Sequence, residues 1–203
     1  MKREELSMGI DREIWQSACN IEKSQKNLDR LCREFDSIEC NMPDFVIEYE
    51  DKDKDGGNWI APVYNFYYKV KQRPNGRLKV TGWITLAVQL TCEESVESDW
   101  THGKRAKVLA GFSADAAFDE VWLFDLSAPN SAGFCEDCTI EGDLWVYNQN
   151  KNHFFFAIPL DVLISAEAVE RYIITPMRSL IRSEEIEKVF SAIKNDMCLP
   201  PQL

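Results

Sequence analysis

Between Val108 and Asn150 the chain has no lysine and no arginine. Histidine is scarce as well: His102 and His153 are the only two in 203 residues. General-base chemistry through imidazole therefore has two possible centres, and a cation to hold phosphate is missing from one continuous fifth of the molecule. No Gly-x-x-x-x-Gly-Lys-Ser/Thr loop and no Gly-x-Gly-x-x-Gly fingerprint occurs, which removes the sequence case for a nucleotide-binding loop. No Gly-x-Ser-x-Gly elbow occurs either, and a Ser-His-Asp triad is unsupported. Apolar runs long enough to span a bilayer are lacking, and no apolar region follows Met1. Repeats and low-complexity stretches are absent. The expectation is a cytoplasmic protein with no membrane contact, whose seven cysteines, an odd number, stay mostly as free thiols.

What is present begins with charge. The formal net charge is −11. Such a surplus argues against direct nucleic-acid binding, which needs a basic field. It fits a protein that meets a basic partner. The acids crowd where the cations are missing: Asp115, Asp119, Glu120, Asp125, Glu136, Asp137, Glu141 and Asp143. The reverse holds over residues 69–79, where Lys69, Lys71, Arg73, Arg77 and Lys79 stand without an acid.

Residues 63–92 carry the strongest fold signal. From Leu78 to Cys92 the even positions are Leu78, Val80, Gly82, Ile84, Leu86, Val88, Leu90 and Cys92, and upstream Tyr64, Phe66, Tyr68 and Val70 alternate with polar residues. Alternation at a period of two is a strand with one buried face. Both apolar sets must share that face, so even residues must oppose even residues. A two-residue Asn75-Gly76 turn breaks this parity. A three-residue Pro74-Asn75-Gly76 loop restores it, with Pro in a type I turn and Gly in the left-handed position of a bulge. Val70 is then expected opposite Val80, Tyr68 opposite Gly82 and Phe66 opposite Ile84. The other face carries Tyr67 opposite Trp83, with Lys69 and Lys71 nearer the turn. Either a helix of the same chain covers these aromatics, or they form an aromatic–basic surface for a partner.

The rest reads in order. Asp11 is expected to cap a helix running to about Asp36. Its stripe is Ile14, Ala18, Ile21, Gln25, Leu28, Cys32 and Phe35, widened by Trp15, Leu31 and Ile38. The helix is expected to lie on a sheet, the alternative being a coiled-coil contact in a homodimer. Phe45 to Glu50 is a short strand and Asp51 to Asn58 a loop. Asp51, Asp53 and Asp55 alternate as calcium ligands do, but interleaved lysines and a missing twelfth-position glutamate argue against that site. Strands follow at Lys104–Phe112, at Glu120–Leu126, at Leu144–Tyr147 and at Phe154–Ile158, with a loop from Ser127 to Gly142. Ser165 caps a helix that Pro176 kinks or ends, and Ser183 caps a last helix whose buried face is Ile186, Val189, Phe190 and Ile193.

These signals describe one α+β domain over residues 1–203. A helical segment spans 1–40, an antiparallel β-meander of about six or seven strands spans 44–160, and two helices span 161–197.

Chemistry is thin. Cys135-x-x-Cys138 needs two further zinc ligands, for which His153, His102 and Cys92 are the candidates. Its acidic neighbours disfavour a redox thiolate. The alternative is a metal-dependent enzyme using clustered carboxylates or a Cys135/Cys138 metal site, but no lysine accompanies the acids between Val108 and Asn150. The favoured expectation is a non-enzymatic, cofactor-free interaction module, an inhibitor or nucleic-acid mimic of the phage or mobile-element type. Its partner-binding residues are Asp115, Asp119, Glu120, Glu136, Asp137, Glu141 and Asp143, with Tyr67, Trp83, Lys69 and Lys71 on the hairpin.

Overall fold

The computed structural model describes residues 2–54, 61–90, 102, 104–114, 138–147 and 153–200, with side chains from Arg12 onward and excepting those of Pro74, Cys138 and Tyr147. An eight-stranded antiparallel sheet forms the centre, with helices before and after it in sequence. The strands are β1 (Cys40–Asn41), β2 (Phe45–Lys54), β3 (Val63–Gln72), β4 (Lys79–Gln89), β5 (Lys107–Ser113), β6 (Cys138–Glu141), β7 (Leu144–Tyr147) and β8 (His153–Pro159). Their spatial order is β1-β2-β3-β4-β5-β8-β7-β6. The sheet is therefore a meander up to β5, and the last three strands return in reverse order with β8 beside β5. The strand expected at Glu120–Leu126 lies outside the described residues. The expected loop from Ser127 to Gly142 is corrected at its end, where Cys138–Glu141 pairs with Leu144–Tyr147. Gly142, at φ 60°, supplies the left-handed residue of that tight turn.

Parity governs the hairpin of β3 and β4, as the alternation required. Even faces even, but two residues further along than expected: Val70 opposes Gly82, Tyr68 opposes Ile84 and Phe66 opposes Leu86. The parity is repaired by a bulge in β4 at Thr81, since Lys71 opposes Val80. The turn keeps Asn75 (φ 58°) and Gly76 (φ 81°) both left-handed, and Gly76 N donates to Arg73 O at 3.2 Å. Because of the bulge, Leu78 and Val80 do not join the core. They are 39% and 49% exposed. Phe112, not Tyr68, lies over Gly82: a Cβ there would sit 2.4 Å from its ring.

A second bulge corrects β2. The strand runs on through the charged residues to Lys54, with the register shifting between Tyr49 and Asp51. Charged side chains suit an edge that must not recruit another strand. Asp51 and Asp53 thus sit on extended backbone, each accepting the next residue's N–H (2.8 and 2.7 Å), not in a calcium loop.

All the described helices pack on the even face. The first helix, α1 (Lys2–Phe35), runs through Asp11, which is therefore no cap. Leu28, Leu31 and Phe35 are buried, and the Phe35 ring meets Phe66 edge-on at 5.6 Å. Toward its start the helix leaves the body: Ile14 is 63% and Trp15 66% exposed. After β8, Ser165 caps α2 (Ala166–Val169), its Oγ accepting from Ala168 N at 3.2 Å. A π-turn at Glu170–Ile174 leads into α3 (Thr175–Ile181). The wider turn accommodates Pro176, which lacks an N–H, so the helix passes through the proline. α3 ends where Ser183 adopts φ 61°. Ser183 N donates to Leu180 O and Glu184 N to Ser179 O, which makes a Schellman stop. Ser183 therefore ends one helix; α4 (Ile186–Phe190) starts after Glu185, with no side-chain cap. Phe190 packs on Phe156 at 5.1 Å. Arg178 Nη2 reaches Ser37 O at 2.8 Å, and Arg182 Nε reaches Asp44 Oδ2 at 2.8 Å while its guanidinium lies over Phe45. Two guanidiniums thus tie α3 and the residue that follows it to the turn after α1 and to the residue before β2.

Candidate functional site

The odd face of β3 and β4 carries no described helix, and the sheet uses it in two ways. Toward β5 and β8 it is buried yet polar: Asn65, Thr85, Gln89, Lys107, Ser113 and His153 are each no more than 7% exposed. Ser113 and His153 are cross-strand partners, with Ser113 Oγ 3.0 Å from His153 Nδ1. Among the described residues Asn65 Nδ2 and Oδ1 and Thr85 Oγ1 have no hydrogen-bond partner. Leaving such groups unmet costs about 1–3 kcal/mol each. From sequence Asn65, Thr85 and Gln89 read as the polar side of the hairpin, and alternation alone gives no signal that both faces are buried.

Toward the hairpin tip the same face opens. Tyr67 opposes Thr85, and Lys69 opposes Trp83, a correction of two residues to the expected Tyr67–Trp83 pair. Both aromatics are half-buried. The Lys69 ammonium lies 5.2 Å from the centre of the Trp83 ring. Lys69 also pairs with Glu50 and Lys71 with Glu48, so these two cations are compensated by β2. The fold does bring Tyr67, Lys69, Lys71 and Trp83 together on one face.

Asp115, Asp119, Glu120, Glu136 and Asp137 lie outside the described residues, as does Cys135. Glu141 ends β6 opposite Leu144 and is half-buried. Asp143 forms an ion pair with Lys194 at 2.7 Å and is 13% exposed, so its charge is spent inside the molecule. Cys138 starts β6. His153, the third candidate zinc ligand, already shares Nδ1 with Ser113. Among the described residues no three of His, Cys, Asp and Glu converge. His102 is half-buried, and burial, helped by Arg105 and Lys107, pushes its pKa down from 6.5, so it is neutral at pH 7.

Cys19, Cys32, Cys40 and Cys198 are free. Burial pushes the thiols of Cys32 and Cys198 up to about 11, which makes them poor nucleophiles. A groove of about 730 Å³ runs between α1 and the segment before α2, lined by Leu28, Leu31, Leu90, Leu163 and Val169. An Arg105–Asp161 pair stands at its rim. Among the described residues no helix is long and apolar enough to cross a membrane. The chain matches no family model, no curated protein and no solved structure.

Proposed function

We propose that the protein is a non-enzymatic interaction module, an inhibitor or nucleic-acid mimic of the kind phages and mobile elements encode. Its carboxylates occupy a basic surface of a partner protein. The observation that carries this reading is the segregation of charge: in a chain of net charge −11, the stretch from Val108 to Asn150 holds acids and no cation at all. Evenly scattered charge would give solubility alone. A one-sign stretch gives a field that steers and orients a basic partner.

Carboxylates in such a surface compete with phosphates for the same lysines and arginines, so binding weakens with salt. Asp115, Asp119, Glu120, Glu136, Asp137 and Glu141 carry it, with Asp143 reduced to a structural role by Lys194. The test is charge reversal. A variant with Asp115, Asp119, Glu136 and Asp137 changed to Lys is measured against the partner that co-purifies with the parent chain. Weaker binding with a flatter dependence on salt is expected. Equal affinity with an equal salt slope sinks the proposal.

A further inference from the structure

We infer that the tip of the β3–β4 hairpin is a second docking surface, and that it takes an acidic peptide segment bearing aliphatic anchors. Three observations converge on it. The first is uncompensated charge. Of the five cations over residues 69–79, Lys69 and Lys71 are paired with Glu50 and Glu48, whereas the side chains of Arg73, Arg77 and Lys79 are exposed and, among the described residues, make no hydrogen bond or ion pair. In an acidic chain, three such cations at one tip form a local field of opposite sign to the whole.

The second is the bulge at Thr81. The sequence alternation assigns Val80 to the core face, and an unbulged ladder would bury it. The fold instead inserts one residue, which turns Val80 to the odd face opposite Lys71 and leaves it 49% exposed, with Leu78 at 39%. Bulges recur where a side chain is re-aimed. Val80 then shares its face with the half-buried Trp83, so aliphatic and aromatic surface runs on from the tip toward Tyr67. The third is strand pairing. β4 pairs with β5 only from Trp83 onward, so Lys79, Val80 and Gly82 pair with β3 alone among the described strands.

Apolar side chains interleaved with cations select against bare polyanions. Phosphates and polyglutamate satisfy Arg73, Arg77 and Lys79 but leave Leu78 and Val80 in water. A segment alternating carboxylates with valine or leucine satisfies both, and when extended it presents them on opposite faces. This surface does not depend on the acidic stretch, and it survives if that reading fails.

The probe is a fluorescein-labelled peptide alternating glutamate with valine and leucine, followed by fluorescence anisotropy against the full chain. Saturable binding is expected. The variant R73E/R77E/K79E should lose about tenfold in affinity through the lost charge. V80S should lose about fivefold through the lost apolar burial, with the salt dependence kept. All four positions are solvent-facing, and an unchanged melting temperature shows that each variant is folded. Equal binding of an all-glutamate peptide, tighter binding of a DNA duplex, wild-type affinity in both variants, or no binding at all would each overturn the assignment.

Discussion

Replacing Gly82 by alanine is the sharpest perturbation of the hairpin that carries the second docking surface. Gly82 faces the core between Val70 and Phe112. An added Cβ would lie 2.4 and 2.5 Å from two atoms of the Phe112 ring and 2.6 Å from the carbonyl oxygen of Ser113. Ring atoms can tilt, but the carbonyl belongs to β5, whose register is set by the pairing of Trp83 with Ser113. Relief therefore needs the β4–β5 ladder to open at its end. Overpacking of this kind costs about 1–3 kcal/mol, and a backbone clash belongs at the upper end. Alanine's lower unfolded-state entropy returns about 0.5–1 kcal/mol. The net loss is about 2 kcal/mol, and with a urea m-value of about 2 kcal/mol/M the unfolding midpoint falls by about 1 M. The double variant G82A/F112L, which removes the ring tip, should recover part of the loss. Coupling between the two sites is expected at about 1 kcal/mol, because the Ser113 contact persists. A G82A midpoint within about 0.2 M of wild type would refute the close approach and the register that creates it.

Three other outcomes follow from the fold. Ser183→Gly relieves a left-handed residue at the Schellman stop and should stabilise the protein by about 1 kcal/mol in urea unfolding, whereas Ser183→Val should destabilise it. Arg178→Ala leaves the Ser37 carbonyl without its guanidinium and should cost about 2 kcal/mol, with Arg178→Lys failing to restore it because one ammonium cannot reproduce the fork. The thiols of Cys32 and Cys198 are held protonated, with folded values of about 11 against an ordinary 9.0, so the native state binds more protons than the unfolded chain between those values. Their contribution to stability is complete below pH 9 and is lost as pH rises toward 11; alkylation of both at pH 8 should be slow in the native state and fast in denaturant.

Parity made the hairpin legible, because a period of two cannot hide a one-residue slip. It could not say how the chain would repair that parity. A left-handed loop and a bulge in the strand satisfy the same constraint, and only packing against β5 and Phe112 separates them. β2 runs past Glu50 into the expected loop for a related reason: Asp51 to Lys54 have poor strand propensity, but an edge strand tolerates and uses charge. Ser183 shows a local ambiguity, since a serine ahead of Glu184 and Glu185 has the composition of a helix start while the backbone uses it as a helix stop. Pro176 read as a break because the sequence gives no notice of a π-turn. At the candidate site, Tyr67, Lys69, Lys71 and Trp83 were grouped correctly by alternation. What escaped was which neighbours spend their charge: Glu48 and Glu50 on β2 neutralise two lysines, and Lys194, far away in sequence, neutralises Asp143.

The most direct test of the central proposal is native mass spectrometry of the chain purified from its own host, followed by a challenge with duplex DNA. The account predicts a complex with a protein that binds nucleic acid through a basic surface, and it predicts that duplex DNA and rising salt both release the chain. A bare chain carrying stoichiometric zinc or magnesium, or a complex that neither DNA nor salt disturbs, would contradict it.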